Sequence, residues 1–285
     1  MLISKIKTTY ELARGGNALV TAIAVWVGGT VGAETFSAVQ AVAGGLAAAL
    51  IAAWGNAIND IYDRELDARR KQHRPIPSGR VSVRAAAWQA AVFALAGILI
   101  AGWINVEALV IASATALLLW LYSFRLKGWL VAGNLAVSFL SGLSFLFGAV
   151  VQNTAIADIL PQGWYAFGFA FLWHLGREWV KAAEDVEEDR EAGLRTLAVV
   201  YGPKAAGRAA SLVLTILLLG LWQPYLDGYF NSIYLMLVLV GVVPVLCGSI
   251  VTLWQGCDVV RLQRIAGVLK WDMLVGVLAI WMGLA

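Results

Sequence analysis

Long apolar segments alternate with short polar connections along the whole of this 285-residue chain. The segments occupy residues 18–31, 37–57, 85–104, 106–122, 129–151, 163–176, 205–222, 231–254 and 267–284. Most of them approach the roughly 20 residues with which a helix crosses the hydrocarbon of a bilayer. Only 14% of the residues are charged, whereas about a quarter are charged in a typical soluble domain. The sequence therefore predicts an all-α fold, a polytopic membrane bundle of nine transmembrane helices that forms one domain over residues 1–285.

The positions of Lys and Arg predict the orientation of this bundle. All 21 of them lie in the N-terminal segment or in the even-numbered connections, with Arg261, Arg264 and Lys270 assigned to the eighth connection. Because cytoplasmic loops of membrane proteins collect Lys and Arg, we predict a cytoplasmic N-terminus, a C-terminus outside, and a multi-pass protein of the cell (plasma) membrane. Residues 1–16 are basic and amphipathic, and they are predicted to lie on the inner membrane surface.

The first row of acidic residues lies at the inner end of the second apolar segment. Asn59, Asp63 and Asp67 are spaced i, i+4 and i+8, so on a helix they share one face; Asn56 lies one turn earlier and Asp60 borders the row. Carboxylates four residues apart repel each other, which indicates that a cation offsets them. Oxygen ligands of this kind suit Mg²⁺, which keeps positions for water and substrate phosphate. The alternative is a solvated charged helix end, but the row begins with amides inside an apolar segment, where polar groups are usually functional.

The second row lies at the inner end of the sixth apolar segment. Asp185 and Asp189 are spaced i, i+4, and Lys181 and Arg177 extend the same face by one and two turns. Acidic helical surfaces are ordinary, so this row is weaker evidence when taken alone. Two rows of Asp at the same predicted membrane depth, each accompanied by basic residues, favour two metal-bearing walls around a polyanion.

Basic residues follow both acidic rows in predicted cytoplasmic loops at about 58–84, 123–128 and 177–204. Arg74 lies in a Pro-rich turn, Lys127 follows Tyr122 between the fourth and fifth segments, and Arg195 follows the second row. Arg grips phosphate oxygens in a fork, and Lys acts as a point charge. The alternative for any one of them is that it only reflects the cytoplasmic location of positive charge.

In these motifs the chain resembles the UbiA superfamily of intramembrane prenyltransferases. The resemblance rests on Asn59-Asp60-x-x-Asp63-x-x-x-Asp67, Arg74-Pro-Ile-Pro-Ser-Gly, Tyr122-Ser-x-x-Leu-Lys127, and Asp185-x-x-x-Asp189 followed by Gly193-x-x-Thr196. It implies a bundle whose central cavity opens to the cytoplasm and sideways to lipid. Within the superfamily the second row looks most like the archaeal digeranylgeranylglyceryl phosphate synthase branch, although that branch usually carries an acid where this chain has Ala182.

The resemblance implies Mg²⁺-dependent transfer of an isoprenoid chain from its diphosphate to an acceptor, by ionisation to an allylic cation. The expected metal ligands are Asn59, Asp60, Asp63, Asp67, Asp185 and Asp189. The expected diphosphate ligands are Asn56, Arg74, Lys127 and Lys181, and Tyr122 is expected to offer its ring to the cation. The expected partners are the isoprenyl diphosphate, a lipid or aromatic acceptor and the lipid bilayer, with no nucleic acid.

Two questions stay open in the sequence. The acceptor is either geranylgeranylglyceryl phosphate or an aromatic acid such as 4-hydroxybenzoate, and for a phosphorylated acceptor Arg177, Arg195 and Lys204 are available as a second basic pocket. A different class of protein, a transporter or flippase of phosphorylated lipid, is also considered. It is disfavoured because a translocation path is expected to carry polar groups through the midplane, and the acids and bases here gather on the inner side.

Overall fold

The computed structural model describes residues 2–284, with side chains from residue 6 onward, and it is helical almost throughout. The helices are α1 (Leu2–Ala13), α2 (Gly15–Gly32), α3 (Ala38–Tyr62), α4 (Arg64–Arg70), α5 (Val83–Ile104), α6 (Val106–Phe124), α7 (Ala132–Val150), α8 (Pro161–Glu184), α9 (Val186–Glu191), α10 (Leu197–Tyr201), α11 (Pro203–Gly220), α12 (Gln223–Leu226), α13 (Ser232–Leu237), α14 (Val243–Gln255) and α15 (Val259–Met282). A π-helical turn at Val238–Val242 joins α13 to α14 just before Pro244, which cannot donate a backbone hydrogen bond. The described chain has no β-strand, so the predicted all-α class is confirmed.

Eight stretches of helix are long and apolar enough to cross a membrane within the described residues. They are Gly15–Gly32, Ala38–Tyr62, Val83–Ile104, Val106–Phe124, Ala132–Val150, Pro203–Leu226, Ser232–Gln255 and Val259–Met282. The sixth predicted segment forms α8, which is as long as the others but carries Arg177, Glu178, Lys181 and Glu184 toward its end. We call the end of the bundle where α3 and α8 finish and α2 and α15 begin the charged end.

The last long helix begins earlier than the sequence predicts. Helix α15 starts at Val259 rather than at residue 267, because the Asp258 side chain accepts a hydrogen bond of 3.0 Å from the Arg261 backbone N–H and caps the helix. The prediction that Arg261, Arg264 and Lys270 lie in a loop is therefore wrong. All three lie on α15, and Lys270 lies between Leu269 and Trp271 within the membrane-spanning stretch.

Helices α2 and α7 cross at two glycines that let their backbones touch. A Cβ on Gly148 would lie 2.2 Å from the Val25 carbonyl oxygen, and a Cβ on Gly28 would lie 2.1 Å from the Phe145 carbonyl oxygen. Small residues permit this close approach between membrane helices, where van der Waals packing drives association. The crossing fixes the position of two of the walls that surround the central cavity.

The N-terminal helix α1 packs against the bundle at the charged end. Leu12 is fully buried in a cluster with Ala57, Ala86 and Ala90. The Glu11 carboxylate pairs with Arg80 at 2.5 Å. Of the segment predicted to lie on the membrane surface, the side chains of residues 1–5 fall outside the described part of the chain.

Candidate active site

A cavity of about 690 Å³ opens within the bundle and extends toward the charged end. Its walls come from α2, α3, α6, α7, α8 and α15, and from the turns that follow α3, α6 and α8. The deep part is apolar, with residues such as Ile51, Ile111 and Phe147, and the part near the charged end carries both acidic rows. Asn59, Asp63, Asp67, Asp185 and Asp189 all line this one cavity.

The first acidic row straddles the junction between α3 and α4. Asp63 is the single residue between the two helices, with φ −84° and ψ 2°. The Asp63 N–H donates to the Asn59 carbonyl at 2.9 Å and the Asp67 N–H donates to the Asp63 carbonyl at 2.8 Å. These bonds keep the helical spacing across the junction, so Asn59, Asp63 and Asp67 share one face as predicted from their spacing.

The second acidic row is built in the same way. Asp185 separates α8 from α9, with φ −87° and ψ 11°. Its N–H donates to the Lys181 carbonyl at 2.8 Å, and the Asp189 N–H donates to the Asp185 carbonyl at 2.9 Å. Gly193, at φ +71°, then turns the chain, which brings Thr196 back beside Asp189. A left-handed turn of this kind favours glycine, which accounts for the Gly193-x-x-Thr196 motif.

Lys127 stands between the two acidic rows. Its ammonium lies 2.5 Å from Asp63 Oδ2, which also accepts a hydrogen bond of 2.9 Å from the Asn59 amide. The same ammonium is close enough to Asp189 for its charge to lower the pKa of that carboxyl. A Cβ on Gly133 at the start of α7 would lie 3.0 Å from Lys127 Cα. The absence of a side chain at this position therefore lets α7 pack closely against the turn that carries Lys127.

The electrostatics of the second row favour a cation. Burial is the largest influence on both carboxyls: it raises the pKa of Asp185 and raises the pKa of Asp189 to about 6. Lys181 lowers the pKa of Asp185, but its ammonium is 3.9 Å away and both side chains are about 40% exposed. The local cations therefore compensate the two carboxylates only in part, and a bound cation would complete the compensation.

Arg74 joins Asp60 to Asp67 through one nitrogen. Its Nη1 lies 2.6 Å from Asp67 Oδ2 and 3.0 Å from Asp60 Oδ1, and both carboxylates are almost fully buried. Asp60 also accepts from Arg14 at 2.7 Å. Asp60, predicted as a metal ligand, does not line the cavity, because its carboxylate is turned toward these two guanidinium groups.

The remaining predicted site residues are brought to the same cavity. Asn56 lines it and donates to the Ala13 carbonyl at 3.0 Å, which ties α3 to the α1–α2 junction. Tyr122 and Lys181 also line it. Arg195 and Lys204, considered for a second basic pocket, do not, whereas Arg177 does.

Sequence reasoning missed three cations of the cavity, which are Arg14, Lys71 and Lys270. Arg14 lies in the left-handed region, at φ 47°, between α1 and α2, and this turn sends its guanidinium to Asp60. In sequence Arg14 is one basic residue before an apolar segment, which does not distinguish it from a surface residue. Lys270 lines the cavity from α15, and the signal that was available is the Asp258 cap that starts this helix early.

The donor groups fit Mg²⁺ that is completed by substrate. Among residues 2–284, no three His, Cys, Asp or Glu side chains are close enough together to hold a metal ion. Mg²⁺ is usually bound by one or two carboxylates plus phosphate oxygens and water rather than by a full protein cage. Carboxylate and amide oxygens on two facing walls match that requirement.

Comparisons with known proteins agree with this architecture. The model of the UbiA prenyltransferase family matches residues 18–283. The chain is 41% identical to the digeranylgeranylglyceryl phosphate synthase of Methanopyrus kandleri over 94% of this chain and 96% of that protein. It is 36% identical to the Hyperthermus butylicus protein of the same name, over 99% of this chain and 98% of that one.

Solved structures share the fold. A structure described as digeranylgeranylglyceryl phosphate synthase in membranes superimposes with a TM-score of 0.79 and 28% identity, covering 98% of both chains. A UbiA homolog from Aeropyrum pernix gives a TM-score of 0.76 at 19% identity, over 91% of this chain and 98% of that one. A UbiA homolog from Archaeoglobus fulgidus, bound to GPP and Mg²⁺, gives 0.67 at 20% identity, over 96% and 99%.

Proposed function

Since the chain belongs to the UbiA prenyltransferase family, we propose that it transfers a geranylgeranyl chain from its diphosphate to geranylgeranylglyceryl phosphate and so forms an ether lipid. One observation carries the proposal: Asp63 and Asp185 line the same cavity, with Lys127 between the two acidic rows. Two anionic walls with a cation between them are suited to a metal-bound diphosphate.

In this proposal Asn59, Asp63, Asp67, Asp185 and Asp189 hold Mg²⁺, which neutralises the negative charge of the diphosphate. Asp60 has a different role from the one first expected. Because it is buried between Arg14 and Arg74, it positions Arg74 at the cavity wall beside Asp67 and does not ligate the metal.

The chain's own residues act on the two ends of the donor. The bond between C1 of the isoprenoid and the bridging oxygen breaks, and its electron pair leaves with the diphosphate. Lys127 and Arg74 stabilise that charge with preorganised donors. The C1 allylic cation is left in the apolar part of the cavity, where Tyr122 offers its ring. The acceptor hydroxyl oxygen attacks C1, forms the ether bond and releases its proton.

The isoprenoid chains are proposed to lie in the apolar interior of the cavity, away from the charged end. The main cavity continues between α3, α6 and α7 past Ile51 and Ile111. A smaller apolar chamber of about 110 Å³ adjoins it, sharing Ser144 and His174 in its lining and reaching Val238 and Ile280. Such walls exclude water, which would otherwise trap the allylic cation.

We further propose that α8 is the ninth membrane-spanning helix. It is 24 residues long, and it packs between α7, α11 and α15, which all belong to membrane-spanning stretches. With α8 in the membrane, most Lys and Arg lie at the charged end, and Arg177 and Lys270 lie deeper on α8 and α15. By the positive-inside rule we assign the charged end to the cytoplasm. The N-terminus is then cytoplasmic, the C-terminus lies outside, and the active site faces the cytoplasm of a multi-pass plasma-membrane protein.

The test is a transfer assay with labelled geranylgeranyl diphosphate and purified protein in detergent. The acceptors are geranylgeranylglyceryl phosphate and 4-hydroxybenzoate, each with Mg²⁺ and with EDTA. The proposal expects Mg²⁺-dependent diphosphate release and labelled ether product with the glycerol phosphate. Product from 4-hydroxybenzoate alone would assign the enzyme to aromatic acceptors, and no diphosphate release without a membrane gradient would favour a transporter.

A further inference from the structure

We infer that Arg177 and Lys270 form a second anion site, which binds the phosphate group of the acceptor. The inference rests on the proposed function, since it names how the same cavity recognises its acceptor. The ligand class is a phosphomonoester carried by an amphiphile. This site is separate from the place of the diphosphate between the acidic rows.

Lys270 is a cation deep in a membrane-spanning helix. It lies about 17 Å from the start of α15 at Val259, at 1.5 Å per residue. A charged residue at such depth is costly and normally faces a cavity, where it marks a functional site. Lys270 lines the cavity together with Trp271 and Leu274. Its ammonium lies 5.4 Å from the centroid of the Trp271 ring, and no carboxylate of the described chain is within salt-bridge distance.

Arg177 is held against the same helix. Its Nε donates to the Ala266 carbonyl at 3.3 Å, and Ala266 lies one turn before Lys270 on α15. One helical turn is about 5 Å, so Arg177 contacts α15 about one turn from Lys270, and both side chains line the cavity. Nη1 pairs weakly with Glu178, at 3.4 Å, and Nη2 forms no hydrogen bond to the described residues. A free guanidinium nitrogen suits a phosphate oxygen.

Most of the other cavity cations are paired with acids, and the remaining one, Lys71, lies near Asp185 at the second acidic row. Lys127 binds Asp63, and Arg74 binds Asp67 and Asp60. On the Arg177–Lys270 wall, two cations face one carboxylate, that of Glu178. Away from the two acidic rows, an anion added at this wall gains attraction without displacing an existing partner.

The position of the wall also suits the reaction. Arg177 lies two turns before Asp185 on α8, about 12 Å deeper along the helix axis. The C1 cation of the donor lies on the membrane side of the diphosphate, between these two levels. In geranylgeranylglyceryl phosphate the free hydroxyl is on the carbon next to the phosphate-bearing carbon. A phosphate held by Arg177 and Lys270 thus keeps the attacking oxygen near C1.

The experiment compares Lys270→Gln and Lys270→Arg with the unaltered protein. Matched acceptors are geranylgeranylglyceryl phosphate and its dephosphorylated alcohol, with geranylgeranyl diphosphate as donor. Removing one charged hydrogen bond should raise KM for the phosphorylated acceptor roughly tenfold to a hundredfold. KM for the donor should stay within about twofold, and Lys270→Arg should restore most of the acceptor affinity.

The control is Arg208→Gln. Arg208 also lies over a tryptophan ring on a membrane-spanning helix, at 5.8 Å from Trp254, but it does not line the cavity. The Arg208→Gln substitution should leave KM for the acceptor and KM for the donor unchanged. The preference for the phosphorylated over the dephosphorylated acceptor is measured within each variant, so a partly unfolded preparation does not affect it.

Binding of geranylgeranylglyceryl phosphate is also measured in EDTA, by fluorescence in detergent. Loss of affinity in Lys270→Gln without Mg²⁺ would support a site made by the protein alone. An unchanged acceptor KM and unchanged affinity would overturn the inference, as would a rise in the donor KM instead. If no acceptor receives a prenyl chain, the proposed function fails, while the binding measurement still decides whether the anion site exists.

Discussion

Asp63 and Asp185 occupy the same structural position on two different helices: each is the single residue between a long helix and a short one, with φ of −84° and −87°. Neither side chain caps the short helix that follows it, and the i to i−4 backbone hydrogen bonds continue on both sides of each residue. The two acidic rows are therefore equivalent in construction as well as in sequence. Their carboxylates line one cavity from opposite helices.

Removing either junction aspartate should abolish most Mg²⁺-dependent transfer. Asp63→Ala and Asp185→Ala should each lower kcat/KM by at least about 10²-fold, since each takes away charge that stabilises the transition state through the metal. The matched control is Glu187→Ala, on the same short helix as Asp189 but 73% exposed. Normal Mg²⁺-dependent turnover in either aspartate variant would contradict the assigned ligands.

Lys127→Gln should weaken diphosphate stabilisation without removing a metal ligand. We expect kcat/KM for geranylgeranyl diphosphate to fall about 10²- to 10³-fold, the usual effect of one preorganised donor. The Mg²⁺ concentration for half-maximal activity should change much less. Arg125→Gln is the control, because Arg125 belongs to the same turn but stacks on Trp129 and does not line the cavity.

Asp60→Ala should destabilise the protein, because it removes the buried carboxylate that pairs with Arg14 and one of the two that pair with Arg74. Asp60 is 4% exposed at its side chain and contacts both Arg14 and Arg74. Breaking such a pair from one side typically costs about 3–5 kcal/mol when the partners are buried, and less here because Arg14 is one-third exposed.

Thermal unfolding in detergent measures this change, with the exposed Glu65→Ala as a control. A variant of normal stability whose Mg²⁺ requirement rises steeply would instead return Asp60 to the metal ligands.

Gly148→Ala should loosen the crossing of α2 and α7. The added methyl group would lie 2.2 Å from the Val25 carbonyl oxygen, a distance that requires the helices to separate. Overpacking of this kind typically costs about 1–3 kcal/mol. Gly168→Ala on α8 has no atom within 4 Å of the new Cβ, and it should be neutral or slightly stabilising. Equal melting temperatures for the two variants would show that this contact does not hold the helices together.

Much of the active site could be predicted from spacing along the chain. Asn59, Asp63 and Asp67 share a face because an α-helix repeats every 3.6 residues, and the backbone bonds across Asp63 preserve that repeat. Neighbouring residues on a helix differ by about 100° in direction, so Asp60 points away from Asn59 and turns to Arg14 and Arg74, while Asn59 and Asp63 line the cavity. Spacing alone placed Asp60 at the border of the row and did not decide between these directions.

Lys270 shows the limit of hydropathy as a guide. Lys270 lies inside the apolar segment 267–284, but the count of Lys and Arg assigned it to a cytoplasmic connection, since lysine in hydrocarbon is costly. A lysine can lie on a membrane-spanning helix when a cavity solvates it, and the cavity exists only after α2, α8 and α15 have packed together. The place of Arg14 at the cavity could not be predicted for a similar reason, because its partner Asp60 is distant in sequence.

The sequence by itself determined the helical membrane class, the family and the two acidic rows, because hydropathy, the positions of Lys and Arg, and helical spacing are local properties of a chain. Tertiary structure alone decided that the rows line one cavity, that Lys127 stands between them, and which cations face acids and which face open space. These relationships join residues on separate helices, and the packing of the helices, which depends on contacts such as those at Gly28 and Gly148, brings them together.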